Sequence, residues 1–164
     1  MNDSLKSATG TEDGHIAGRM PNARLGSKHR LMPENHWNWS MPTPFSQGWR
    51  IGDLVFVGGQ ISADENGEVI GRGDIEIQTR NTFDNLTRVL AEAGASWQDV
   101  VKVNTYYVFD GTEEDAGEFW RRMTKVRMEY LPDPGPCGTA VRVDGFMSEG
   151  FLIEVEVIAV ITDR

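Results

Sequence analysis

Residues 45–62 read FSQGWRIGDLVFVGGQIS, and residues 152–160 read LIEVEVIAV. In the first, Ile51-Gly52-Asp53 supplies a turn between two short extended runs. Leu54 to Val57 is apolar and β-rich, and two glycines close it, so the stretch predicts a β-hairpin. The second stretch, extended to Phe151–Ile161, predicts a long closing strand that carries two carboxylates in a hydrophobic run. Side chains alternate along a strand, so Glu154 and Glu156 share one face, roughly 6.5–7 Å apart at about 3.3 Å per residue. Carboxylates are costly to bury unpaired, so each needs a partner or a task.

Between these ends the apolar spacing changes from two to about four. Ile75, Thr79, Phe83, Leu86, Leu90 and Ala93 recur on one face of a helix expected over Asp74–Ala93, with Gly94 as its C-terminal cap. Asp64-Glu65-Asn66-Gly67 reads as the turn before it. Val100–Phe109 is β-branched and aromatic, a strand of the parallel type. Thr112 with Asp115 marks a second helix start, and Phe119, Trp120, Met123, Val126 and Tyr130 form its apolar stripe. Pro132-Asp133-Pro134-Gly135 stops that helix, and Thr139–Val143 is the next strand. The order β-β-α-β-α-β-β predicts an α+β fold, a mixed sheet with both helices on one face. Both faces of the closing strand are too apolar for water, so the uncovered face predicts contact with another subunit.

Composition narrows the functional classes. The 164 residues are 39% hydrophobic, enough for one domain with its own core. No run reaches the length of a membrane span and no apolar leader is apparent, so a cytoplasmic protein without a membrane partner is expected. One cysteine, Cys137, excludes an internal disulfide framework and fits a reducing compartment. A formal charge of −9 disfavours phosphate backbones, so no nucleic-acid partner is expected. All three histidines, His15, His29 and His36, precede the first confident strand. Residues 1–35 read as a flexible arm and 36–164 as the folded domain. No metal and no cofactor are therefore expected unless the arm folds back over a site. The aromatic stretch His36, Trp37, Trp39, Met41 and Phe45 is expected to pack on the domain or on a neighbouring subunit.

The hairpin with its Gly-Gly-Gln sequence, Asp84-Asn85-Leu86 and Ala91-Glu92-Ala93-Gly94 in the helix, Val100-Val101-Lys102-Val103, and the closing Ile-Glu-Val-Glu-Val-Ile-Ala-Val together resemble the RidA/YjgF family. The likeness runs from about Pro44 to Val160. It implies the chorismate mutase-like RidA fold, a homotrimer with a barrel-like centre, and pockets at the subunit clefts. It also implies hydrolysis of reactive enamines or imines of small metabolites to ketones and ammonia, without metal or cofactor. In that resemblance Glu154 corresponds to the glutamate that positions water, and Phe45 to a tyrosine that closes the pocket. Pro136-Cys137-Gly138-Thr139 corresponds to a Pro-Ala-Arg-Thr motif, so Gly138 stands where the family has its carboxylate-gripping arginine.

Gly138, Ala140 and Arg142 alternate to one face, which makes Arg142 a candidate substitute; pairing with Glu154 or Glu156 is the alternative. Gly59 and Gln60 are expected beside the ligand, Gly59 for close backbone approach and Gln60 as a hydrogen-bond partner, with Thr139 and Ala140 on the adjoining strand. Cys137 reads as an inert thiol. The alternative function is a ligand-binding or regulatory trimer that lost catalysis with the arginine. Ribonuclease activity, ascribed to some relatives, is disfavoured by the acidic charge and by the lack of a core histidine.

Overall fold

Six strands form one sheet in the order β1-β2-β3-β6-β4-β5. Their ranges are β1 Lys28–Leu31, β2 Gly48–Ile51, β3 Leu54–Ile61, β4 Val100–Tyr107, β5 Cys137–Arg142 and β6 Ile153–Val160. Among the described residues, two α-helices, α1 Ile75–Glu92 and α2 Ala116–Arg127, pack with this sheet. This computed structural model describes residues 26–109, 111 and 115–162. The expected pair formed by Thr112 and Asp115 thus lies partly outside the described residues. Asp115 is nevertheless the N-cap of α2, its carboxylate accepting from the Glu118 N–H.

Local chemistry explains the element ends. Gly52 takes φ +59° between Ile51 and Leu54, which pair across the β2–β3 turn. Asp74 caps α1 by accepting from the Glu76 and Ile77 N–H groups, and Gly94 at φ +74° follows the C-cap, Ala93. The left-handed conformation after a helix favours glycine because it has no Cβ to clash. α1 buries Ile75, Thr79, Phe83, Leu86 and Leu90, together with Gln78, Thr82, Asn85 and Val89.

The core lies between the helices and one face of the sheet. Val55 and Val57 of β3, Val103 of β4, and Ile153, Val155, Val157 and Ala159 of β6 meet Phe83, Leu86, Phe119 and Met123. Each of these side chains other than Ala159 contributes roughly 1.5–3 kcal/mol when fully removed from water. Both helices therefore cover one face of a mixed sheet, in which only the β4–β5 pair is parallel.

Two sequence expectations change. The arm expected over residues 1–35 does not extend to residue 35 in this form, because Lys28–Leu31 pairs with β2 and Leu31 is buried in the core. An edge strand needs only backbone pairing, so a run with one apolar residue can form it. The two glycines after Val57 also do not end β3. The strand continues to Ile61 through a register shift between Val57 and Gln60, and Gly58 and Gly59 occupy this bulge.

Candidate functional site

Register decides which side chains share a face. Glu154 pairs with Ile61 of β3 and Tyr106 of β4, and Glu156 pairs with Asn104. These residues stand on the face opposite the helices. Glu156 is held there: its Oε1 accepts from Asn104 Nδ2 at 2.8 Å and from the Tyr106 hydroxyl at 3.1 Å. Burial first, then the charge of Glu156, raises the Tyr106 pKa.

Glu154 differs from Glu156. It is half-buried, yet no hydrogen bond or ion pair joins its carboxylate to any described residue. Burial and the neighbouring Glu156 charge raise its pKa above the ordinary 4.5. Its side chain lies directly on Gly59: a Cβ at residue 59 would stand 1.8 Å from Glu154 Oε1 and 2.7 Å from its Cδ. The bulge thus makes a glycine floor for an unpaired carboxylate. Such a group has open lone pairs for water and a proton affinity shifted toward neutrality.

The shift also has a stability consequence. The folded protein holds the Glu154 proton more tightly than the unfolded chain, so stability is full below pH 4.5 and falls as pH rises through the raised pKa. Glu154→Gln removes this dependence. Its melting temperature relative to the unmodified protein should climb between pH 4.5 and neutrality; a constant difference in calorimetric melts would contradict the assignment.

Phe45 lies at the same end of the sheet. It packs against Trp37 and Trp39 with ring centroids 5.5 and 5.8 Å away. It joins a small cluster that also takes in Ile61, the β3 partner of Glu154. The aromatic arm therefore folds onto the domain, as its composition requires. Beside it, the open face holds a hollow of about 320 Å³ lined by Trp49, Phe56, Lys102, Asn104, Glu156 and Ile158. Exposed Phe56, Val101 and Val141 add apolar surface to the molecule.

Gln60 belongs to the fold, which corrects its expected role beside a ligand. It is fully buried on the helix side, where its Oε1 receives hydrogen bonds from Trp37 Nε1 at 3.0 Å and His36 Nε2 at 2.8 Å. Its Nε2 donates to Gln47 Oε1 at 2.8 Å and to the Gly58 carbonyl at 3.2 Å. Both amide groups are committed, leaving nothing for a substrate. His36 is thereby part of the folded domain, and burial lowers its pKa, so it serves as a neutral strut. Gln60→Leu should cost about 2 kcal/mol, because it strands the Trp37 and Gln47 partners. Urea unfolding with an unchanged midpoint would refute this.

The β5 residues divide between the faces. In the parallel register Val103 lies beside Gly138, Thr105 beside Ala140 and Tyr107 beside Arg142, all on the helix side. Thr139 pairs with Asn104 on the open face and accepts from Lys102 Nζ at 3.4 Å. Arg142 and Glu154 of one chain therefore stand on opposite faces of the sheet, so the alternative of an ion pair between them within one chain does not hold. The Arg142 guanidinium lies 5.3 Å from the Phe109 ring instead. Cys137 is exposed, and its thiol donates to the Val101 carbonyl at 3.1 Å.

A single sheet with both helices on one face and an unpaired strand carboxylate on the other defines a class. The comparisons agree with it. The family described as Endoribonuclease L-PSP matches residues 39–161. A RutC family protein of Pyrococcus abyssi is 40% identical over 71% of this chain and 85% of its own. The 3-aminoacrylate deaminase RutC of Acinetobacter baylyi is 29% identical over 71% and 86%. The crystal structure of RidA from an Antarctic Psychrobacter superposes with a TM-score of 0.67 at 25% identity, covering 81% of this chain and 99% of that one. This chain belongs to the RidA/YjgF family, the family that carries the Endoribonuclease L-PSP description. Among the described residues, no helix is long and apolar enough to cross a membrane.

Proposed function

We propose that this chain is a metal-independent hydrolase of a small imine or enamine, with Glu154 as its proton-transferring group. The observation that carries the reading is the half-buried Glu154 carboxylate, unpaired and seated on Gly59. Water attacks the carbon of the protonated C=N group while Glu154 takes one of its protons, giving a neutral carbinolamine. Glu154 then returns that proton to nitrogen, and as the C–N bond breaks the carbinolamine hydroxyl passes its proton to Glu154, so a ketone and ammonia leave; the Glu154 proton then passes to the next imine nitrogen. An enamine enters by protonation at carbon, which the raised pKa favours. The A. baylyi relative named as a 3-aminoacrylate deaminase supports this reaction class.

Phe45 walls the pocket without offering a hydroxyl. The apolar open face is the surface through which three copies join, and the pocket closes between them. Sedimentation at the mass of one chain would contradict that assembly. The reducing compartment that Cys137 suits is the cytoplasm.

A second reading, a ligand-binding trimer without turnover, is favoured by one observation: Gly138 offers no charge where the family's arginine stands. Incubation with freshly generated 2-aminoacrylate-type and carboxylate-free imines separates the two. Accelerated ammonia release supports catalysis; melting shifts without release support binding alone.

A further inference from the structure

The turn at residues 64–67 and the flank of α1 beside it enclose a hollow of about 240 Å³ that shares no residue with the Glu154 site. α1 supplies Asn81, Asn85 and Arg88, which follow one another along a single helical stripe, and the chain just after β3 supplies Ala63 and Asp64. Asn85 is the anchor. It is 2% exposed, and its Nδ2 donates to the Ile61 carbonyl at 3.0 Å and to the Ala63 carbonyl at 3.2 Å. Those bonds fix which end of the amide is nitrogen, and no described residue donates to Oδ1. The unpartnered hydroxyls of Thr82 and Thr105 are sealed from solvent, but Asn85 Oδ1 is not; it opens on the hollow. A buried acceptor without a donor carries a free-energy cost that a ligand relieves.

The neighbours of Asn85 are also only half engaged. Asn81 Oδ1 accepts from Asn85 Nδ2 at 3.5 Å and from the Ser62 hydroxyl at 3.4 Å, while its own Nδ2 donates to no described residue. Asp64 Oδ1 accepts from the Asn66 and Glu68 N–H groups, both at 2.9 Å, which leaves Oδ2 open. These bonds, that from Glu68 first, hold its pKa below the ordinary 3.8, so it remains an acceptor at neutral pH. Arg88 forms no ion pair among the described residues, and its Nη1 makes only a long 3.5 Å contact to the Asn35 carbonyl. The adjoining hollow, which shares Ile70 and Asn81, is different. There Arg80 meets Glu129, Asp84 accepts from the Tyr130 hydroxyl, and Glu76 meets Arg122.

We propose that the hollow between α1 and the 64–67 turn binds a neutral polyhydroxylated molecule of single-sugar size, received by Asn85 Oδ1, Asn81 Nδ2, Asp64 Oδ2 and the Arg88 guanidinium. The chemistry selects the class. Two acceptors and two donors stand open together, and hydroxyls both donate and accept, so adjacent hydroxyls on one ring answer all four. A carboxamide offers a single donor–acceptor edge and leaves the rest unmet. An anion would meet Asp64 and Glu65, and a metal ion would meet Arg88. Among the described residues no three His, Cys, Asp or Glu side chains are grouped to hold a metal. Ala63 and Ile70 give the C–H face of a ring an apolar wall. At about 240 Å³ the hollow is smaller than the roughly 300–1,000 Å³ of sites for drug-sized ligands, which restricts the occupant to about one ring. Nothing in this site depends on the hydrolase reading.

Saturation-transfer NMR of the full-length protein with D-ribose, D-glucose, D-galactose and myo-inositol tests the site, followed by titration of the polyol that responds. At least one should bind, and Glu154→Gln should bind it alike. In isotope-labelled protein the same polyol should shift the side-chain amide resonances of Asn81 and Asn85. Replacing Asn85 would mix binding with folding, because it also holds two backbone carbonyls. Asn81 and Arg88 make only long contacts. Asn81→Ala and Arg88→Met should therefore each weaken the polyol about three- to tenfold, the worth of one hydrogen bond. The double variant should lose detectable binding while its melting temperature stays close to that of the unmodified protein. Absence of a response from all four polyols overturns the proposal, as does binding that survives the double variant at unmodified affinity. Binding of acetamide in place of the polyols, abolished by the double variant, would make this an amide site and also overturns it.

Discussion

Replacing Glu154 with glutamine is expected to lower the rate of ammonia release from an imine by about a hundred- to a thousandfold, within the usual range for loss of a general acid–base group. The amide is isosteric and remains on Gly59, so the pocket keeps its shape while losing the group that takes up and returns a proton. Stability should not fall with activity. The carboxylate has no partner to lose, and the change removes both its burial as an anion and its repulsion with Glu156. A Glu156→Gln variant provides the contrast. That side chain is already engaged by Asn104 and Tyr106, so its replacement acts on packing more than on proton transfer. Comparable losses of turnover in the two variants would remove the distinction drawn between the carboxylates.

Gly59→Ala is the second large effect, and it acts through position alone. The new methyl would meet Glu154 Oε1 at 1.8 Å, so the carboxylate must leave its seat. The backbone at residue 59 has no left-handed requirement, and the displaced atoms are the end of a flexible side chain. Folding should therefore tolerate the change, with melting altered by only a few degrees. Turnover should fall about a hundredfold, the scale associated with displacing a reacting group by about an ångström. On a Glu154→Gln background, Gly59→Ala should cost little more activity, because the group it displaces no longer transfers protons. Equal multiplicative losses in both backgrounds would mean that Gly59 acts on the substrate directly.

Much of this arrangement is legible in the chain. The turn at Gly52, the α1 stripe with its Asp74 and Gly94 ends, and the carboxylate-bearing final strand all announce themselves through local spacing. β1 does not, because Lys28-His29-Arg30-Leu31 has no apolar alternation and exists through backbone pairing with β2. Gln60 misleads because its position beside two glycines suggests ligand approach, whereas the bulge turns it inward under Trp37 and His36. Alternation along β5 and along β6 is read correctly within each strand. Which faces coincide depends on the parallel β4–β5 register, a long-range fact that separates Arg142 from Glu154.

The most direct measurement follows the disappearance of a freshly generated 2-aminoacrylate-derived imine, and the matching appearance of ammonia, in chelator-treated protein. A rate above buffer that scales with protein concentration is predicted. Imine decay at the buffer rate at every protein concentration would contradict the hydrolase account.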